Sequence, residues 1–305
     1  MRLIKNTAIN KQLAAKFITR KDSKLLSEAT DAAVVKHSCL HHINLVGFRE
    51  VYKTHDHLVI AMEYIPGSMT LEAKATASGP MKEADIRPYF RQLVQCMSYC
   101  HSQEGYHTNL RLDRILIDTR APQPIVKLTD FLYRGPDRTS SSSSSSEKGD
   151  DVAGPSKYTP PEQLVLLQVK NDGSMCDAGA IDVWALGVIL HVMLTGRFPF
   201  LDKVQPGNVT ARVMRRMALD EFEFSSKPFA QGASSEVEDL LQKMFQRDPE
   251  QRIKAAQILE HPWLKGAEST SEEPADPVTA APMQSTQSQD DIIHIVKRAR
   301  RKRLW

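Results

Sequence analysis

The hydrophobic period of the chain changes between Ile65 and Met81, and that change restricts the folds open to it. Before it, "QLAAKFI" and "LVIAMEYI" are apolar runs of strand length, and "LLSEATDAAVVKHSCL" between them has helical spacing. After it, Ile86, Tyr89, Phe90, Leu93, Val94 and Met97 recur every three or four residues, as a helix with one buried face requires. With Asp85 as its cap, Pro88 falls in the first turn, where no amide hydrogen is needed. Helical patterns return at 181–194, 209–218, 236–245 and 255–259. The expectation is an α+β chain with a small β-rich unit at 1–65 and a larger, mostly helical unit at 66–265.

Past Trp263 the composition shifts to Ser, Thr, Glu, Pro, Ala and Gln, so 266–305 reads as a low-complexity linker and a basic tail. The ending "DDIIHIVKRARRKRLW" has the pattern of a short amphipathic helix with a basic end. Six of the seven residues in "KRARRKR" (297–303) are basic and outweigh the whole chain's net charge of +3. The remainder is therefore mildly acidic, which argues against a specific nucleic-acid-binding fold. It makes the run a candidate contact for import receptors or acidic partners, or simply a solvated tail.

The best candidate for a membrane span, 183–194, is interrupted by His191 and falls short of the roughly 20 apolar residues a span needs, so it reads as a buried helix. The N-terminal "MRLIKNTAINK" lacks the apolar core of a secretory signal. Four cysteines show neither a CxxC pair nor zinc spacing. A cytoplasmic or nuclear location is expected.

One stretch concentrates polar groups at a strand pair. "HTNLRLDRILIDTRAPQPIVKLTDFL" (107–132) is a polar loop, a strand at 115–117, a Pro-marked turn, a second strand at 125–128 and then Asp130. Loops held by rigid strands are where reactive groups are usually presented. After it, seven consecutive serines (140–146) lie in an insert, 139–151, that has nothing to bury.

The order of a small β-rich lobe, a hinge at Glu63 and Tyr64, a loop-strand-strand-Asp unit and a helical lobe resembles a eukaryotic Ser/Thr protein kinase. "LHHINLVGFREVYKTHDHLVIAMEYI", "SYCHS", "DVWALGVILHVMLTGRFPF" and "RDPEQRIKAAQILEHPWL" are similar to plant stress-activated kinases related to the sucrose-non-fermenting kinases. The resemblance covers roughly 1–265 and implies a two-lobed kinase fold whose N-lobe lacks its first strand. It further implies that Glu162 of "PPE" pairs with Arg252, and that Asp182 of "DVW" braces the catalytic loop's backbone.

Phosphoryl transfer in this family needs a Gly-rich loop, a Lys with a Glu partner, a base, and Asp and Asn on Mg²⁺. Lys16 in "LAAK" resembles the strand lysine that contacts the nucleotide's phosphates. Its helix partner falls on Ala33, with Asp31 in reach only if the helix register shifts. The Gly-rich loop has no counterpart here, since Met1 aligns after it; a shortened gene model is the plain alternative.

Where the family reads H-R-D-L-K-x-x-N, this sequence reads "HTNLRLDR". His107 is kept as the loop's organiser, and Thr108 replaces a phosphate-clamping Arg. Asn109 stands at the base position with no useful basicity, and Arg111 replaces Lys as the cation near the γ-phosphate. Arg114 replaces the metal-binding Asn, and a guanidinium has no lone pair to give a metal. It either touches phosphate in the ion's place or points to solvent. Asp130 of "DFL" is the remaining candidate Mg²⁺ ligand, or a turn cap; Leu132 replaces the glycine that follows. Ala14, Leu116 and the backbone of Glu63 and Ile65 suit an adenine.

The resemblance thus implies a pocket that can take ATP, argues against Mg²⁺, and points to a pseudokinase acting through protein partners. The alternative is a low-activity ATP-dependent Ser/Thr kinase working through Lys16, Arg111 and Asp130.

Overall fold

A computed structural model describes residues 1–7, 10–20, 28–120, 123–131, 157–163, 176–199, 233–266 and 285–300. The serine tract, Leu132 and the helix expected at 209–218 lie outside the described residues.

The N-terminal lobe is an antiparallel sheet of β1 (Arg2–Asn6), β2 (Lys11–Thr19), β3 (Phe48–Lys53) and β4 (His57–Glu63), in the order β1-β2-β4-β3. One helix, α1 (Glu28–Cys39), accompanies it. Successive side chains of a strand face opposite sides, so Ala14 and Lys16 share one face of β2 while Leu13 and Ala15 are buried on the other. Register pairs Ala14 with Met62 and Lys16 with Ile60, which carries the lysine over the middle of the sheet.

The second lobe opens with β5 (Met69–Thr70), α2 (Leu71–Ser78) and α3 (Glu83–Ser102). β5 then pairs with β6 (Ile115–Asp118), and β6 with β7 (Ile125–Leu128). The helices α4 (Ala178–Thr195), α5 (Ser235–Met244), α6 (Ala255–Leu259) and α7 (Pro262–Lys265) complete it. α4 is apolar all round because it is the lobe's central helix. The Asp177 carboxylate caps it by accepting from Gly179 N at 2.8 Å and Ala180 N at 3.2 Å, and Gly196 ends it at φ +70°. The α+β, two-lobed expectation matches this architecture.

One expectation is corrected. Asp85 is not the cap of α3: Lys82 is, and its carbonyl accepts from Asp85 N and Ile86 N. Pro88 therefore sits in the second turn, where its missing N–H leaves the Ala84 carbonyl without the usual helix bond. Near the C-terminus the structure has the short amphipathic helix that the pattern of the ending suggests. Gln289–Arg300 form α8, which packs on α1, β3 and β4 and buries Ile292, Val296 and Ala299 in the N-terminal lobe's core. A stripe spaced by three and four residues is a core-facing helix whichever end of the chain carries it.

At the N-terminal end of α1 the Arg300 guanidinium bonds Glu28 at 2.6 Å and stands 3.2 Å from Asp31 Oδ2. The Asp31 contact lacks hydrogen-bond geometry. Burial accordingly outweighs the guanidinium's attraction and holds the Asp31 carboxyl above its ordinary range.

His37, on the inner side of α1, is fully enclosed between the Phe48 and Phe131 rings, with Nε2 2.9 Å from the Val46 carbonyl oxygen. Burial pushes its pKa down to about 4, against the opposing pull of that hydrogen bond. An unfolded histidine takes its proton near pH 6.5. Stability is therefore complete above that pH and lost as pH falls toward the folded value, by about 2 kcal/mol at pH 5. Unfolding free energies from urea denaturation at pH 7 and pH 5 are expected to differ by that much more in the wild type than in His37→Gln. Equal differences in the two proteins would refute the assignment.

Candidate active site

The site forms where β6 begins and β7 ends. Register sets Ile115 opposite Leu128, so the residues flanking that pair, Arg114 and Thr129, are neighbours. Thr129 confirms it by donating to the Arg114 carbonyl from N at 2.8 Å and from Oγ1 at 3.1 Å. The chain then turns through Asp130 at φ +58°, a left-handed conformation that Asp tolerates better than most residues. That turn aims the Asp130 carboxylate back over Arg114.

The preceding loop is held from below. Asp182, fully buried, accepts from His107 N at 2.9 Å and Thr108 N at 2.6 Å, and contacts His101 Nε2 at 3.0 Å. His107 Nε2 reaches the Thr129 carbonyl at 2.9 Å and so ties the loop to the end of β7. Thr108 is strained into φ +53°. Both roles that the resemblance implied for Asp182 and His107 are present as contacts.

Lys16 Nζ forms an ion pair with Asp130 Oδ1, and Arg114 Nη1 stands 3.2 Å from Asp130 Oδ2. The Asn109 amide fits when its oxygen faces the guanidinium, where it accepts from Arg114 Nη2 at 3.2 Å. Burial alone would raise the Asp130 carboxyl, but the Lys16 ammonium and the Arg114 guanidinium outweigh it and hold the pKa below the ordinary carboxylate range. Asp130 is thus an anion at neutral pH with both oxygens engaged by cations.

These contacts resolve several alternatives. Arg114 does not point to solvent: its side chain is 11% exposed and turned to Asp130. Lys16 takes Asp130 as partner because α1 offers none. Ala33 is a buried methyl, and Asp31 faces Arg300 of α8 instead. Arg111 Nε donates to Asp113 Oδ1 at 2.9 Å.

The adenine-slot residues surround the junction of the lobes. Ala14 faces it from β2, and Leu116 of β6 packs against the core cluster that holds Met62 and Ile65. Glu63 ends β4, and its carboxylate does not point at a ligand. It accepts from Lys127 Nζ at 3.0 and 2.9 Å and from Gly47 N at 3.1 Å. Sequence reading missed this pair, and nothing local announces it.

The large lobe carries a second buried ion pair. Arg252, fully buried, makes a fork to Glu162 at 2.7 and 2.9 Å and donates to the Ala180 and Gln246 carbonyls at 2.8 and 2.9 Å.

The comparisons with known proteins agree with this architecture. The family described as "Protein kinase domain" matches residues 1–264. This chain belongs to the protein kinase family. It is 33% identical over 302 residues to the serine/threonine-protein kinase SAPK3 of Oryza sativa, covering 98% of this chain and 84% of that protein. It is 34% identical over 303 residues to the serine/threonine-protein kinase SRK2H of Arabidopsis thaliana, covering 98% of this chain and 78% of that one.

The family generally binds ATP with Mg²⁺, and the side chains present here fit the two unequally. For a nucleotide the chain offers two cations, Lys16 and Arg114. A metal ion meets one carboxylate already held by Lys16 and Arg114, with a guanidinium where a second oxygen ligand would be needed. Among the described residues no three His, Cys, Asp or Glu side chains converge to hold a metal.

Proposed function

We propose that this kinase-fold chain is a pseudokinase, a protein that keeps a nucleotide slot, acts in signalling through a protein partner, and transfers phosphate weakly or not at all. The observation that carries the reading is the Asn109–Arg114–Asp130 contact. The residue at the base position is a neutral amide turned toward a cation, and the metal-binding aspartate is engaged by that same cation. A positioned base is worth about 10²–10⁴-fold, and groups that act as a unit lose far more together than separately. The competing reading, a low-activity Ser/Thr kinase working through Lys16, Arg111 and Asp130, is supported by the Lys16–Asp130 ion pair.

Transfer from radiolabelled ATP to peptide separates the two. Wild type is expected to incorporate no more label than Lys16→Ala, whereas Asn109→Asp combined with Arg114→Asn is expected to exceed it. Robust wild-type transfer abolished by Lys16→Ala would overturn the pseudokinase reading.

A cytoplasmic or nuclear location belongs to the same proposal. It is supported by the exposed Lys297 and Arg298 on α8, since Arg300 of the same run is engaged with α1.

A further inference from the structure

We infer that the site takes the phosphates of a purine nucleotide without a divalent cation, Arg114 standing in for the metal; the inference rests on the proposed nucleotide slot. Two cations, Lys16 and Arg114, meet on the two oxygens of one carboxylate. Two oxygens of a phosphate group are spaced much as those of a carboxylate are, so the same two cations can engage them. A polyphosphate entering from the slot can replace Asp130 as their shared anion.

The charge balance favours this arrangement. Lys16, Arg114, Asp130 and Asn109 sum to one net positive charge before any ligand arrives, so an anion is attracted and a dication is repelled. Arg114 has five N–H donors in a rigid fork and no acceptor, which suits phosphate oxygens and excludes metal coordination. Asn109 steadies the guanidinium from the other side, so its orientation does not depend on Asp130 alone. Access remains open, because the Lys16 and Asp130 side chains are 24% and 22% exposed.

Mg²⁺ could enter only by pushing Arg114 off Asp130, and that would place a doubly charged ion beside two fixed cations. The replacement of the metal-binding Asn thus does more than delete a ligand. It fills the ligand's place with the charge the metal would have supplied.

The test measures binding of ATP, ADP and adenosine by calorimetry, in EDTA and in excess Mg²⁺. Wild type is expected to bind ATP in EDTA, with no gain from Mg²⁺. Arg114→Asn is expected to lose roughly tenfold or more in EDTA, the worth of a charge-assisted hydrogen bond, and to recover part of it with Mg²⁺. Arg114→Lys, which keeps the charge, is expected to bind ATP in EDTA more tightly than Arg114→Asn. Adenosine, which has no phosphate, should bind all three proteins alike and so reports that the slot is intact.

A wild type that needs Mg²⁺, or an Arg114→Asn variant unchanged in EDTA, would overturn the inference. So would a wild type that binds adenosine but neither ATP nor ADP, whereas one that binds none of the three would overturn the nucleotide slot as well and leave the loss of transfer to its own assay.

Discussion

Arg252→Ala is expected to destabilise the protein by about 3–5 kcal/mol, the cost of breaking a buried ion pair from one side. The guanidinium has no exposed surface and makes three kinds of contact at once. It forks onto Glu162, donates to the Ala180 and Gln246 carbonyls, and lies over the Trp184 ring at 5.0 Å. Truncation leaves the Glu162 carboxylate, 13% exposed, with its charge uncompensated. The pair also ties Glu162, well upstream of α4, to the segment between α5 and α6, so its loss loosens elements remote from the nucleotide slot. Arg252→Lys should recover only part of the stability, because an ammonium cannot reproduce two parallel bonds. Urea denaturation followed by circular dichroism measures both variants. A loss below about 1 kcal/mol for the alanine variant, the worth of an exposed pair, would contradict the buried geometry.

Removing the apolar face of α8 is expected to have the second large effect. Ile292 and Val296 are each 1% exposed and pack in the same cluster as Val34, Phe48, Val51 and Ile60. Ile292→Ala should cost about 2–5 kcal/mol, a fall in melting temperature on the order of 10 °C. Adding Val296→Ala should deepen it. Two features predict that α1 suffers most. Arg300 would lose its anchorage beside Asp31, leaving a carboxylate already raised by burial with no countercharge nearby. Gln287 would also stop bridging the edge of β3, where its Nε2 donates to the Val51 carbonyl at 3.0 Å and its Oε1 accepts from Val51 N at 2.8 Å. Hydrogen exchange should show protection lost in α1 and β3 before the second lobe changes. A double variant that melts with the wild type would show that α8 does not hold the lobe.

Much of this protein was legible without coordinates, and the parts that were not share a cause. Strand and helix spacing located β2, β4, α1, α3, α5 and α6 to within a few residues, because periodicity is a property of neighbouring side chains. The start of α3 went wrong because a backbone carbonyl, Lys82, serves as its first acceptor while the more recognisable Asp85 lies inside the first turn. The amphipathic pattern of α8 was legible in the sequence, but the surface that buries its face at 292, 296 and 299 was not. Amphipathic spacing says that a helix has a partner without saying which surface that is.

The active-site residues divide along the same line. The sequence by itself determined what each can do: Asn109 cannot accept a proton, Arg114 cannot donate a lone pair, and Lys16 and Asp130 carry opposite charges. Tertiary structure alone decided how they are used. The adjacency of Arg114 and Thr129 follows from strand register, and the left-handed turn at Asp130 follows from how β7 ends. Their outcome is a carboxylate shared by two cations from different lobes, and charge obeys distance in space, which only the folded chain sets.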